Sequence, residues 1–455
     1  MSLVTEPLSD DAVVTWPEQA QAVNPNVVLL LAMVPGLAHL TVLRDRLKGA
    51  AYLLATAIFV YFMVVHGGGA IYNLIFLGEP QPDIPIRERD NSLFMLIDGV
   101  MILAVILIFV ALYIISIRSA LKTAREINIR GYLSRTDKRI SNVADRAFPV
   151  LGLTPTFIMI AFFVVVPLVF SALVAFTNYS RPHHIPPSNP IDWVGFDNFA
   201  QLFGGDHLWS GAVVRVFIWT IAWAFLATAT CYIGGMLMAV VLKNSRLRIT
   251  PFFRAIFILP YAVPGVVSLI VWRNMLNGAF GTLNRTLEWL PFFPDVVNTP
   301  WLTDPWMARF TMVMINLWLG FPYFMLLVTG TMTSIPAEHI EAARMDGASD
   351  WQVFRKIQMP QIVFQTMPLV IMSFAHNVNN FGAVFFLTGG GPNMPDSTTT
   401  GAGATDLMVS WIFNLTVNLQ QYHQAGVLAI MIFLIIAPFA IFNFRQTKSF
   451  KEGEI

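Results

Sequence analysis

The sequence predicts an all-α polytopic membrane protein with eight or nine transmembrane helices. Three observations carry that expectation. First, 56% of the 455 residues are hydrophobic and only 12% are charged, where a soluble domain carries about a quarter charged residues. Thirty-seven Phe and a mean hydropathy of +0.62 are too apolar for a surface in contact with water. Second, the apolar residues fall in long unbroken stretches rather than in the alternation of a barrel, and lipid offers backbone amides no other partners than those within a helix. Third, the cations cluster in alternate loops. With 28 Lys+Arg against 27 Asp+Glu, a formal net charge of +1, the chain is neither a basic nucleic-acid binder nor an acidic disordered chain. A single cysteine, Cys231, excludes a disulfide framework or a cysteine-based metal site.

Crossing about 30 Å of hydrocarbon takes roughly 20 apolar residues of helix. The stretches that meet this test are Leu53–Leu77, Leu93–Ile117, Leu151–Phe176, Val213–Leu242, Pro251–Trp272, Phe310–Met332, Phe364–Leu387 and Val427–Phe444. A ninth, Val27–Leu43, is short and has Pro35-Gly36 at its middle. It reads equally as a further span or as a re-entrant or interfacial segment.

Segments 44–48, 118–146, 243–254, 335–356 and 445–451 hold 21 of the 28 Lys and Arg residues. They are alternate loops, so the positive-inside rule makes them cytoplasmic and places the C-terminus inside. The opposite loops, 66–92, 178–210, 276–306 and 389–420, are poor in cations and rich in Pro, Gly, Asn and aromatic residues. The chain divides into an N-terminal tail (1–26), N-terminal hydrophobic segments (27–117), a cytoplasmic linker (118–148), a six-span block (149–444) and a cytoplasmic tail (445–455). The tail 1–26 has no Lys or Arg; without a signal peptide's positive n-region, the chain is expected to keep it. No internal repeat stands out.

Catalytic apparatus is missing from the sequence. Gly389-Gly390-Gly391-Pro392 and Gly67-Gly68-Gly69 lack the Lys and the preceding strand of a phosphate loop. His183-His184 lies in a Pro-rich loop without third and fourth metal ligands. Arg215 and Arg273, near the ends of their spans, read as snorkelling cations. Met residues and the 12 Trp read as packing and interfacial anchors. Uphill transport by such a chain must draw its energy from a gradient or a partner.

One cytoplasmic loop, Ile335–Pro360, breaks the pattern. Pro336 suits a helix start, Glu338–Met345 is a helix-favouring run, and Gly347 permits a left-handed turn. Ser349 or Asp350 can cap a second helix, which ends at Pro360. By residue type alone this is an ordinary amphipathic loop. The order Glu341-Ala342-Ala343, Asp346-Gly347, Ile357 and Met359-Pro360 nevertheless resembles the EAA signature of bacterial ABC-importer permeases. That resemblance extends through Thr177–Ser180, Trp193–Phe199, Asn316–Tyr323, Ser373–Phe381 and Gly389–Pro392, in matching order, to the permease subunits of maltose and maltodextrin importers. It covers about Pro149 to Lys448, and more weakly Pro35-Gly36 and Leu47–Gly49. The loop 178–210 departs from it, being far shorter than the folded external domain some members insert there.

Two polar groups suggest a site. Asn316, Leu319, Gly320 and Tyr323 share one helical face by spacing, as do Ser373, His376, Asn377 and Asn380 on the next span. Amides in mid-span cost free energy unless paired or facing a wet cavity. They therefore read either as interhelical struts or as a substrate site. A sugar suits the second reading, because an amide offers donor and acceptor to vicinal hydroxyls and an aromatic ring covers a pyranose face. The family resemblance implies substrate contact for all eight positions, with one departure: where the family carries Phe, this chain has His376, which puts maltose itself in question more than another oligosaccharide.

The resemblance implies the transmembrane subunit of an ATP-driven sugar importer in a bacterial cytoplasmic (inner) membrane. The expected partners are a second homologous permease, two cytoplasmic ATPase subunits, an extracytoplasmic sugar-binding protein, membrane lipid and an oligosaccharide substrate, with no nucleic acid. ATP and Mg would be bound by the ATPases and no cofactor by this chain. Glu341, Ala342, Ala343, Asp346, Gly347, Trp351 and Phe354 would form the joint to an ATPase, with Glu341 and Asp346 in local salt bridges or caps. Two rival readings find little support in the residues. An ion-coupled transporter would want acids within the six-span block, and the nearest case is Asp98, outside it. A membrane glycosyl-transferring enzyme would want paired carboxylates, whereas Asp295, Asp304 and Asp396 are scattered.

Overall fold

A computed structural model describes residues 23–85, 87–130, 152–185, 189–244, 249–288 and 299–446. Among them there is no β-strand, only an isolated bridge between Thr177 and Trp193. Among the described residues six helices are long and apolar enough to cross a membrane, seven if a bent helix pair is counted as one span. The chain forms two compact units: residues 1–170 with 187–192, and residues 171–186 with 193–455. The linker expected at 118–148 lies outside the described residues beyond Arg130, as do Asp295 and the tail beyond Gln446.

In the first unit, α1 (Pro25–Leu31) and α2 (Leu37–Thr41) precede α3 (Arg46–Phe76) and α4 (Ser92–Arg130). The 39 residues of α4 extend about 58 Å at 1.5 Å per residue, nearly twice the hydrocarbon thickness. Its last turns therefore continue helically through the sequence expected to begin the linker. Asn91 starts α4 by accepting from the amides of Leu93 and Phe94 at 3.1 and 3.3 Å. α3 and α4 pack through Gly99, where any Cβ would lie 2.6 Å from the Leu74 side chain, and through Phe59 stacked on Phe109 at 3.8 Å. The stretch Val27–Leu43 is two short helices broken at Pro35-Gly36, neither long enough to cross alone. α5 (Gly152–Val174) ends the unit and enters the next.

In the second unit, a short α6 (Asp197–Ala200) leads to α7 (His207–Asn244), which packs along α11 (Pro305–Ser334). Gly235 makes that close crossing possible, since a Cβ there would meet Met325 N and Phe324 Cβ at 2.6 Å. Asp304 caps α11, accepting from the amides of Trp306 and Met307. The span expected over Pro251–Trp272 is not one helix. It is α8 (Thr250–Ala262) and α9 (Gly265–Met275), meeting at 91°. The cause is Pro264, which drives Val263 into the extended region at ψ 136°. A short α10 (Thr282–Glu288) follows.

The span expected over Phe364–Leu387 also breaks. α12 (Ala337–Met345) is followed by α13 (Asp350–Val378), and the chain then turns at Asn379 into α14 (Phe381–Leu387). The last helix, α17 (Tyr422–Gln446), follows α15 (Ser397–Thr400) and α16 (Met408–Phe413); its apolar part, Tyr422–Pro438, is shorter than the span expected over Val427–Phe444 requires.

Residues 389–420, expected to be loop, are instead a packed layer. Thr400, Ala402, Thr405, Leu407 and Trp411 are fully buried. Side chains of the long helices bind its carbonyls: Trp219 Nε1 donates to Thr405 O at 3.2 Å and Arg309 Nε to Ala404 O at 2.9 Å. Arg215 does not snorkel. It forms a two-toothed ion pair with Asp396, at 2.5 and 2.9 Å, and also donates to Ala402 O. Arg273, in the last turn of α9, is exposed.

Candidate functional site

Two helix breaks in the second unit build the candidate site. The turn at Asn379 ends α13 in mid-chain, and Asn380 caps α14 by accepting from the Ala383 amide at 3.2 Å. Asn residues favour such positions because their side chains compete with the helix for backbone donors. The bend at Pro264 sets the start of α9 beside α14. Between α7, α9, α11 and α14 lies a cavity of about 330 Å³, within the range of about 300–1,000 Å³ typical of small-molecule sites.

Of the eight positions expected to contact substrate, Asn316, Leu319 and Asn380 line this cavity. Asn377 lies behind it. It is buried, donates to Thr228 Oγ1 of α7 at 3.0 Å and accepts from Asn380 at 3.4 Å. Asn380 is therefore not on the helical face of Ser373 and Asn377, as spacing implied; it begins the next helix and is held by Asn377. Asn316 donates to Cys231 Sγ at 3.3 Å, which ties α11 to α7. Gly320 serves the same crossing, since a Cβ would stand 2.7 Å from Cys231 Sγ. Tyr323 packs edge-on to Phe324 and near Tyr261 rather than on the cavity. Ser373 is half-buried and His376 exposed, and neither lines it.

Sequence spacing missed Trp223, Leu269, Met312 and Phe386, which supply the apolar walls. Periodicity within one helix cannot reveal Trp223, Leu269 and Phe386, which come from α7, α9 and α14, whereas Met312 stands one turn before Asn316 on the same face of α11 and was within its reach. Gly382, also on the wall, stands two residues after the Asn380 cap and was the nearest available signal. The result is an apolar cleft with two amides in its lining, one on α11 and one at the head of α14. Such a site can bind a neutral polyhydroxylated molecule through hydrogen bonds and ring faces. Among the described residues no group of three or more His, Cys, Asp or Glu could hold a metal ion.

The loop 335–360 holds the two helices expected, but the second does not end at Pro360: α13 runs on to Val378, because the wider π turn at Phe354–Gln358 just before it leaves Pro360 in the first turn of the α-helical stretch that follows, where a missing N–H is tolerated. Gly347 stands at φ +82° after α12, with its amide donating to Arg344 O and the next amide to Ala343 O. This pair of bonds is a Schellman cap, whose left-handed position favours glycine. Ser349, not Asp350, caps α13 through a reciprocal box with Gln352. The ion pair across the turn is Arg344 with Asp350 at 2.9 Å, rather than one from Glu341 or Asp346. Asp346 is the C-cap residue of α12 and Glu341 is exposed. Ala342 is exposed and Ala343 half-buried. Met345 and Trp351 are 88% and 66% exposed, with Phe354 ring-packed on Trp351. An apolar surface of this kind on a charged turn is suited to docking.

Residues 231–448 match the family described as the binding-protein-dependent transport system inner membrane component. The chain is 35% identical over 427 residues to the galactooligosaccharides transport system permease protein GanP of Bacillus subtilis (strain 168), covering 94% of this chain and 98% of that one. It is 35% identical over 433 residues to the maltodextrin transport system permease protein MdxF of the same organism, covering 94% and 96%. A solved bacterial alginate ABC transporter, in complex with alginate pentasaccharide-bound periplasmic protein, matches with a TM-score of 0.54 at 20% identity, over 69% of this chain and 99% of that one. That likeness shows the fold. The chain belongs to the family of binding-protein-dependent transport system inner membrane components, and is a multi-pass, non-catalytic permease subunit.

Proposed function

We propose that this chain is the transmembrane subunit of an ATP-driven importer that carries a maltodextrin-like oligosaccharide by alternating access. The observation that carries the substrate class is the cleft in which Asn316 and Asn380, from separate elements, line one apolar cavity. The relatives named for galactooligosaccharides and maltodextrin support a neutral glycoside, and no cation lines the cavity to balance a uronic acid.

A second, homologous permease completes the pathway, two ATPases drive it, and an extracytoplasmic binding protein delivers the sugar. The C-terminus and loop 335–360 face the cytoplasm, where the exposed Met345 and Trp351 meet one ATPase. Closure of the ATPases moves α12 and the start of α13, and rocks the spans between inward- and outward-open states. ATP binding supplies the differential stabilisation that such a shift requires.

The test is uptake of radiolabelled maltotriose by proteoliposomes holding the whole importer. Uptake should require the ATPase subunits. Asn316→Ala and Asn380→Ser should each lower the apparent affinity roughly two- to tenfold, the worth of one hydrogen bond to a neutral partner. Full uptake without ATPases would reject ATP coupling, and unchanged affinity in both variants would reject the cleft as the sugar site.

A further inference from the structure

Residues 23–43 carry no charged side chain, yet Arg44, Arg46 and Lys48 follow at once. We infer that α1 and α2 form a membrane-parallel element, seated in the leaflet boundary at the cation-bearing end of α3 and α4, with acyl chains on its apolar face and phospholipid phosphates around its cations. The proposal goes beyond the transport reading and rests only on α3 and α4 crossing the bilayer.

The contacts fix the depth. Val23 and Asn128 exchange two hydrogen bonds, Val23 N donating to Asn128 Oδ1 at 2.8 Å and Asn128 Nδ2 to Val23 O at 2.9 Å. Val28, Ala32, Ala38 and Leu43 pack on Ala120, Ala124 and Ile127. His39 Nε2 lies 3.3 Å from Ser119 Oγ. All these partners lie beyond Ile117, where the apolar part of α4 ends and Arg118, Lys122 and Arg125 begin. On α3 the approach is equally terminal: Gly36, at φ +90°, sets its backbone against Gly49 and Leu53 in the first turns. A crossing segment would instead contact the middle of α3 or α4. With seven and five residues, α1 and α2 are about 10 and 8 Å long, far short of a span.

The outward face decides the occupant. Leu30 and Met33 are 70% and 69% exposed, flanked by exposed Val27 and Val34; Val27 and Leu30 stand one turn apart on α1, and Met33 and Val34 lie in the turn that follows it. An uncharged apolar face beside a collar of arginine and lysine matches the layering of a leaflet, hydrocarbon beneath phosphate.

The experiment is nitroxide labelling of the full chain in phospholipid vesicles, with depth read from the balance of oxygen and nickel-chelate accessibility. Labels at Leu30→Cys and Met33→Cys should lie about 5–10 Å below the phosphates, and Arg46→Cys at the phosphate plane. Ile58→Cys, twelve residues along α3 and exposed, is the internal ruler and should lie near the bilayer centre, about 15 Å down. The unsubstituted chain controls for reaction at the buried Cys231. With the ruler at the centre, Leu30 labels as deep as Ile58 would mean a crossing segment. Labels in water, or shielded from both reagents by protein, would mean a different occupant. Each of these results overturns the inference, whereas a reversed side assignment would leave the depths unchanged and show only in access from one face.

Discussion

Arg215 and Asp396 illustrate what a single pair of side chains does for the layer over residues 389–420. Burial alone would raise the Asp396 carboxyl, but the bonds and charge of Arg215 outweigh it and hold the group below its ordinary range. Asp406 goes the other way: burial pushes it up, against bonds from Ser410 and the Gly403 amide. Breaking a partly buried pair leaves an uncompensated charge, so Arg215→Met or Asp396→Asn should cost about 3 kcal/mol, read as a lowered thermal midpoint in detergent. The sign with pH follows from the depressed carboxyl. Its contribution is full above the unfolded value, about pH 4, and is lost as pH falls through the lower folded one. The gap between the wild type and Asp396→Asn should therefore be widest near neutrality and close below about pH 4. A gap that persists in acid would mean that packing, not charge, is what the substitution removes. At this scale the sequence was partly legible: Asn316 and Asn380 were marked by polarity in an apolar run, whereas the Arg215 partner lies 181 residues away and no local pattern links them.

At the scale of elements, every long apolar stretch became helix, because period and length are local properties of the chain. The breaks were less legible. Pro264 and Asn380 stood in view, but apolar residues continue on both sides, and only neighbours that receive the turned chain decide where a hydrophobic run bends. The loop-like composition of 389–420 misled for the opposite reason: its Gly, Thr and Asp residues serve buried bonds rather than solvent, as Gly403 N to Asp406 at 2.8 Å shows. The α7–α11 crossing yields a direct prediction. Gly235 admits no side chain, its position being ringed by Phe321 O, Phe324 Cβ and Met325 N at 2.6–2.7 Å. Gly235→Leu should cost at least the roughly 1–3 kcal/mol of ordinary overpacking, because backbone rather than flexible side chain must move. Gly330, exposed on α11 with nothing within 4 Å, is the matched control, and Gly330→Leu should be nearly silent in the same thermal assay. Equal losses at both positions would refute close helix approach as the reason.

For the molecule as a whole, the transport reading turns on whether motion outside the chain reaches the helices that edge the cleft. α13 begins at the exposed loop and ends at Val378, beside Asn377, which accepts from Asn380, so one continuous helix joins that loop to the amides of the candidate site. The turn itself is set by Gly347, whose φ of +82° costs a side chain about 1–2 kcal/mol, while the space around it is open. These two facts separate shape from contact. Asn tolerates the left-handed region far better than a β-branched residue. Gly347→Asn should therefore keep most coupled uptake, and Gly347→Val should lose it by tenfold or more while still inserting and binding sugar. Measuring ATP hydrolysis and sugar uptake in the same vesicles distinguishes the causes. If Val uncouples and Asn does not, the conformation of the turn transmits the stroke. If both uncouple equally, the partner requires a bare Cα at that point, and the joint is a close-fitting contact rather than a shaped turn. If neither does, force enters the chain elsewhere, and α13 is not the lever between the ATPase and the cleft.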